Sequence, residues 1–438
     1  MPYVGQLQAA GLAKEDTLGT LKTPPTEFLP LIPPDSFSEA IELLESKGIR
    51  AQPDVVQKVT QGPASLKSGK VKLELEPENC GNLIMATFGQ DSIGETASFV
   101  VANTNKYIDF KESGGSQLHA IIATGTYKMG TTSATASTLC KAIKDALEAA
   151  SGAAGTYIVT YSDSTRKVTI AIGSGTLQIL WLTGTNQANG AYSLLGFSHT
   201  DTSASASLTS DSTTEYPVFA HTFTRLSNAQ LPTYSWWFHK GAKYFQFTGC
   251  MMNKAVIDVK AKDMVTFDSD WTALTYDDNG TSQSPTYSTI KPFTFSQAVV
   301  KLDGSQINDF ENFMLTIDNM VEADHALSGS IYPAKIYTKG MKITFSATLF
   351  LEDSTQYAKF LAGTAVHFNV KLTSGELITG SAVPYSLELD LPVTNYASQV
   401  LHIENGVMKI HLTGVVVVDT SGSNTPSAIL TNSRVTAY

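Results

Sequence analysis

A chain of 438 residues exceeds what one ordinary core accommodates and predicts two or three domains. Hydrophobic residues make up 42% and charged residues only 16%, below the usual ~25%, so Ser, Thr, Gly and Asn must cover the surface; this is the profile of a β-rich assembly protein more than of an enzyme. A formal net charge of -10, from 30 Lys+Arg against 40 Asp+Glu, argues against a basic groove that grips phosphates.

Residues 1 to about 69 are irregular and rich in Pro, with Pro24-Pro25 and Pro33-Pro34 around Phe28, Leu29 and Leu31. The spacing of Ala40, Ile41, Leu43 and Leu44 predicts a helix capped by Ser36 or Ser38 and ending near Lys47-Gly48. The rest of this arm has apolar residues but no closed core, so it is expected to lie on its own domain or on a neighbouring chain. Val71, Leu73 and Leu75 alternate with Lys72, Glu74 and Glu76, a strand pattern. Pro77 then opens a short helix through Leu83, Ile84 and Phe88 that closes at Gly89.

From about 101 to 212 the composition turns to Ser, Thr, Gly and Ala with few charges, which marks an inserted α+β domain. Strands are expected at 107–110, 118–124, 157–161, 168–172 and 177–182. A helix from about Thr135 to Ala150 places Leu139, Ile143, Ala146, Leu147 and Ala150 on one stripe. The first domain resumes at 213–289 with strands 219–225 and 234–239. A hairpin follows, with arms 255–259 and 264–271 around the turn Lys260–Asp263. In its second arm Val265, Phe267 and Trp271 face one side and Thr266, Asp268 and Asp270 the other. The polar stretch 276–288 reads as a linker.

The second domain, 290–438, begins with strands near 293–302 and 313–317, then strand 341–351. Glu352-Asp353-Ser354 caps a short helix through Phe360 and Leu361 to Gly363, and strands 367–372, 385–391 and 407–418 follow. The halves repeat an order of elements: amphipathic strand, short helix ending in Gly, strands, hairpin arm. Strand 70–76 and helix 78–89 correspond to strand 341–351 and helix 353–363, and arm 263–271 to 406–414.

No catalytic, cofactor-binding or metal-binding residues are indicated. Cys80, Cys140 and Cys250 stand far apart, outside any disulfide or zinc spacing. Gly173-Ser174-Gly175 lacks the Lys-Ser/Thr of a phosphate loop, the eight histidines are scattered singly, and Asp277-Asp278-Asn279-Gly280 is a turn rather than a calcium loop. No secretory leader or ~20-residue apolar span is read from the chain. Trp236-Trp237 is the informative aromatic pair: neighbours on a strand point to opposite faces, so one ring is expected to be left for a ligand or another chain.

Thr248-Gly249-Cys250 with its hairpin resembles the central hairpin of the tail tube proteins of long-tailed phages. So do Gly19-Thr20 with Pro24-Pro25-Thr26-Glu27-Phe28, the 69–76 strand leading into Pro77-Glu78, Thr316-Ile317-Asp318-Asn319, and the helix start at 352–357. The resemblance covers about three-quarters of the chain; the 101–212 insertion departs from it and is similar to small decorating modules of phage structural proteins. It implies a mainly β fold with two tail-tube-type β-sandwich/barrel domains, each with a short flanking helix, plus the inserted domain. It further implies a structural, non-enzymatic subunit without cofactor, made in the host cytoplasm and placed in the virion tail. Such subunits stack as rings into a hollow conduit for DNA ejection. A chain with two tube-like halves would close the ring as a trimer with pseudo-sixfold symmetry. Partners implied are further copies of itself, the tape measure, tail terminator and tail tip proteins, and double-stranded DNA passing without specific binding.

On that reading Glu74, Glu76, Asp258, Asp268, Asp270, Glu388 and Asp390 are the candidate channel-lining residues, since acids repel phosphates. Phe28, Leu29, Leu31, Trp236 and Trp237 are the candidate subunit-interface residues. The alternative is a β-sandwich adhesin that binds glycans through Trp236 or Trp237 and the insertion.

Overall fold

The computed structural model describes residues 8–32, 37–45, 59–68, 70–152, 157–214, 217–225, 230–241, 243–351, 355–378, 381–417 and 425–438. The expected caps Ser36 and Glu352-Asp353-Ser354, and the helix stop at Lys47-Gly48, lie outside these residues. The architecture is mainly β, as its alternating stretches require.

The first half opens with strands β1 (Gln8–Lys14), β2 (Glu27–Leu29), β3 (Leu31–Ile32), β4 (Phe37–Glu45), β5 (Val59–Ser68) and β6 (Val71–Glu74). The helix expected over Ala40–Leu44 is a strand. β4 pairs antiparallel with β5, and a register shift between Ile41 and Leu43 lets apolar residues at mixed spacing join a ladder. Tertiary pairing here outweighs a helical period four residues long. Helix α1 (Gly81–Phe88) is buried throughout and ends at Gly89, whose φ of 94° suits a residue without Cβ. Strand β7 (Gly89–Thr96) leads into the insertion.

The insertion holds β8 (Phe99–Val101), β9 (Tyr107–Glu112), β10 (Leu118–Ile121), β11 (Gly125–Tyr127), helix α2 (Leu139–Ser151), β12 (Tyr157–Ser162), β13 (Lys167–Ile172), β14 (Leu177–Ile179), helix α3 (Tyr192–Leu195) and β15 (Ser207–Thr209). α2 starts at the Thr138 cap, whose hydroxyl accepts from the Lys141 N–H at 3.2 Å, and buries Leu139, Ile143, Ala146 and Leu147. These pack with Phe110, Tyr157, Ile170 and Trp181 into a core of the insertion's own.

The first half resumes as β16 (Val218–Arg225), β17 (Tyr234–Lys240), β18 (Lys243–Lys260), β19 (Thr266–Thr272) and β20 (Thr275–Asp277). The second half is β21 (Ala298–Leu302), β22 (Ser305–Ile307), β23 (Phe310–Asp318), β24 (Val321–Asp324), β25 (Lys335–Thr338), β26 (Lys342–Phe350), helix α4 (Thr355–Ala362), β27 (Val366–Leu377), β28 (Pro384–Glu404), β29 (Val407–Val416) and β30 (Ser427–Asn432). The strand expected from 293 starts later, because Phe295–Gln297 form a 3-10 turn held by a Thr294/Gln297 capping box.

The pairings lay down one sheet that crosses both halves, in the order β3-β6-β19-β18-β23-β26-β29-β28, four strands from each half. Two covering sheets lie across its core face. The N-terminal portion of β18 pairs with β17, which joins β1, while its C-terminal portion belongs to the crossing sheet. β28 does the same: Ser386–Asp390 pairs with β27 and β30, and Thr394–Glu404 with β29. β30 in turn pairs with β16, which pairs with β7, so the halves are stitched in both layers. Apolar residues of both halves form one continuous cluster, so the 276–288 loop, expected as a linker between domains, joins strands that share a single core.

Candidate functional site

The face of the crossing sheet turned away from the core is built by strict alternation. In β6 Val71 and Leu73 are buried while Lys72 and Glu74 are partly exposed; in β19 Phe267 and Ser269 alternate with Thr266, Asp268 and Asp270 in the same way. Register then aligns charges across strands. Asp270 lies opposite Lys254, Lys254 opposite Asp318, and Asp318 opposite Lys342, with Lys70 also acting on Asp270, so lysine and aspartate alternate along one row. In adjacent rows Lys72 faces Asp268, and Thr266 sits between Glu74 and Asp258. Burial raises the Asp258 and Asp270 carboxyls above the usual range, opposed by Lys260 and Lys72 at the first and by Lys254 and Lys70 at the second.

Four of the seven acids singled out as channel-lining, Glu74, Asp258, Asp268 and Asp270, therefore share one surface, joined by Asp318. Lys70, Lys72, Lys254, Lys260 and Lys342 share it too. The chain's acid excess is not concentrated there: the face is charge-balanced. Glu76 lies past the end of β6, 8% exposed, takes a hydrogen bond from Asn79 at 2.8 Å and is pushed by burial up to about 6. Glu388 and Asp390 stand on the covering layer. Their neighbours Leu387 and Leu389 point into the common core, so the two acids face away from the Glu74 surface. There Glu388 pairs with Lys371 at 3.1 Å and Asp390 meets His367 at 2.6 Å.

The expected interface residues divide as well. Trp236 is sealed in the core, stacked 5.3 Å from Phe238 and edge-on 5.4 Å from Trp271. Trp237, on the opposite face of β17, is only 4% exposed and borders a small cavity with Gly11, Phe28, Thr281 and Gln283. The expectation that one indole is left over is thus corrected, because this face of the strand is covered by the chain itself. Leu29 is also core, whereas Phe28 and Leu31 are partly exposed.

Sequence reasoning missed two features. One is a set of apolar residues left uncovered on two hairpins: Ile41, Leu43, Leu44 and Val59 on β4–β5, and Val400, Leu401, Ile403, Val407 and Met408 on β28–β29. The two arms extend past opposite ends of the crossing sheet. β5 runs out beyond Thr272, its contact with β19, while the β28–β29 tip lies beyond the row of Asn312, Thr348 and His411 at the other end. The other is Glu15. Its Oε1 accepts from the Gly249 N–H at 2.8 Å and Ser235 Oγ at 2.9 Å, its Oε2 from the Gly19 N–H at 2.9 Å and Thr233 Oγ1 at 2.8 Å. The Gly19-Thr20 and Thr248-Gly249-Cys250 motifs thus meet on one buried carboxylate. Both glycines have positive φ, and a Cβ at Gly249 would lie 2.7 Å from Leu274. Asn319, the end of the 316–319 motif, ties the halves by donating to the carbonyls of Thr87 at 3.2 Å and Met252 at 3.1 Å.

Among the described residues no three His, Cys, Asp or Glu side chains gather as a metal site, and no helix is long and apolar enough to cross a membrane. The three cysteines are free and buried, and burial raises each thiol. No curated protein matches the chain. A family model described as phage tail tube protein matches residues 5–398, spanning the arm, the insertion and the crossing sheet up to the middle of β28. The chain belongs to the phage tail tube protein family, a structural component whose place is the tail of the virion.

Proposed function

We propose that the chain forms rings, three copies to a ring with pseudo-sixfold symmetry, which stack into the conduit through which DNA leaves the particle. The observation that carries this reading is the crossing sheet: two sets of four strands joined edge to edge by β18 and β23, with a polar face on one side and the core on the other. Eight strands per chain become twenty-four in three copies. At a strand spacing of about 4.8 Å these make a cylinder roughly 37 Å across, wider once the strands tilt. Side chains lining its wall leave a bore on the scale of a DNA duplex.

The lining in this proposal is the face of Glu74, Asp258, Asp268, Asp270 and Asp318 with its five lysines. Charge balance keeps a passing polyanion from finding a basic track, which is what sliding without sticking requires. The insertion then lies on the outer wall, because it hangs from the β7–β16 pair of the covering layer. Arms at opposite ends suit head-to-tail stacking. The role assigned to the chain is structural rather than catalytic, and the proposed contacts are with further copies and the proteins that start, measure and end the tube. The glycan-binding alternative loses its aromatic platform, since both indoles are covered.

Negative-stain electron microscopy of the concentrated chain tests the proposal. Rings or tubes with threefold-modulated walls and a central hole are expected; a chain that stays monomeric at every concentration and salt would overturn it.

A further inference from the structure

Residues 433–438, which follow β30, form a strap anchored in the covering layer. Val435, Thr436 and Ala437 are exposed, yet Tyr438 is buried, its ring so close to Gly81 of α1 that a Cβ there would not fit. Its partners come from several elements. Asp91 Oδ2 of β7 accepts the Tyr438 N–H at 3.0 Å, Lys14 Nζ of β1 donates to the Tyr438 main-chain oxygen at 2.6 Å, and Asn432 Nδ2 donates to its hydroxyl at 2.7 Å. The Arg434 guanidinium lies 3.9 Å over the Tyr438 ring and 3.5 Å from Glu27 of β2. The strap therefore ties the N-terminal arm, through β1 and β2, to the covering layer.

His221 of β16 is the group on which the strap turns. It is fully buried, and both of its ring nitrogens face acceptors: Nδ1 lies 2.9 Å from Asp91 Oδ2, and Nε2 lies 2.9 Å from the Arg434 carbonyl oxygen. Each contact needs its own proton, so the Asp91–His221 pair holds two, where a neutral imidazole beside a carboxylate would hold one. The imidazole is the stronger base of the two, which puts both protons on the ring. We propose that this second proton latches the strap, and that its loss as pH rises opens the strap and frees the N-terminal arm. The carboxylate is the stronger acceptor, so the remaining proton stays between Nδ1 and Asp91. The Nε2 lone pair then faces the Arg434 carbonyl oxygen with no proton between them, in a buried site. Around the ring, Ile93 of β7 and Leu430 of β30 are its cross-strand neighbours, and Phe223 and Tyr438 are its aromatic ones. Lys14 of β1 acts on Asp91, and Arg434 lies beside it, two cations that favour release of the proton against the hold of Asp91. Glu27 of β2 and Cys80 at the head of α1 act on the strap itself, through Arg434 and Tyr438.

Hydrogen exchange of the full chain, read as protection of the 434–438 amides over a pH series, tests the latch. One proton lost per opening makes protection fall about tenfold per pH unit once the ring begins to lose its proton, and the β2 amides follow. His221→Gln, whose amide protons do not titrate, is expected to abolish this dependence, while Glu27→Gln keeps it. Protection independent of pH in the parent chain, or a dependence that survives in His221→Gln, would overturn the latch. A strap that opens while β2 stays protected would overturn its hold on the arm. Nitrogen NMR of the histidine rings in the parent chain requires no variant to fold. Protons on both nitrogens of His221 are expected while the strap is protected, and a ring with a single N–H in that state would overturn the proposal.

Discussion

The two-set framework and the insertion are built on opposite plans. In the framework, β1 pairs with β17 over two hundred residues later, β30 with β16, and Glu15 and Asn319 each bridge distant segments. No continuous stretch of it could close a core alone. The insertion encloses its own core and is joined to the framework through the β7–β16 stem, where the Glu95 carboxylate accepts the N–H groups of Met129 and of Gly130, the latter at 3.2 Å. The difference predicts that the framework unfolds as a single cooperative unit and the insertion separately from it.

Trp271→Ala is the strongest way to break that comparison. Its indole packs against Tyr234 and Trp236 and donates to Ser269 at 2.9 Å. A loss of about 3–5 kcal/mol is expected in the framework transition by chemical denaturation, with the insertion's transition unmoved. Leu147→Ala is the converse, about 2–5 kcal/mol from the insertion's transition alone, with ring formation retained under the microscope. If both variants shift both transitions together, the separation is wrong.

A pH series sharpens it next. Burial lifts the Glu27 carboxyl from 4.5 to about 8, although Arg434 lies 3.5 Å away and Asn82 donates to it at 2.6 Å; burial outweighs the ion pair. The folded chain therefore holds a proton that the unfolded chain releases between those values. Framework stability falls as pH rises through that window, by ~1.4 kcal/mol per unit from this group, with Glu76 adding the same sign up to about 6. Thermal melts of Glu27→Gln should lose the Glu27 share of this slope while the insertion's melt stays as in the parent.

Smaller effects are expected at the edges of each unit. Glu95→Ala leaves two N–H groups without their acceptor, about 1–3 kcal/mol, and should speed hydrogen exchange at Met129 and Gly130 with both cores intact. Leu43→Ser, at a side chain 61% exposed, should change chain stability by less than about 0.5 kcal/mol yet raise the concentration at which rings appear by light scattering.

The alternating strands were legible because their period is local: Val71–Glu74 and Val265–Trp271 state their faces in their own residues. The repeat was legible for the same reason, since strand, helix and Gly recur in order. The Ala40–Leu44 segment was not, because its fate depends on β5, about twenty residues on, and on a bulge no spacing announces. Acids on strands were readable as outward-facing, but which layer they stand on was not: Asp258 and Asp390 carry the same local pattern on opposite sides of the molecule. Trp237 shows the complementary failure, as alternation gives its direction and says nothing of what covers it. Glu15 had no signal, since its four donors come from three separate stretches of the chain, Gly19, Thr233 with Ser235, and Gly249.

β28 has a mechanical consequence. Its 21 residues, about 70 Å of contour, run without interruption from the covering layer into the crossing sheet. A pull on the β28–β29 tip is carried along this strand into its ladders with β27 and β30, which must slide in shear with many hydrogen bonds breaking at once, rather than unzip one by one. In the proposed ring, a load on the arms would thus pass to the covering layer and leave the crossing sheet's strands in register.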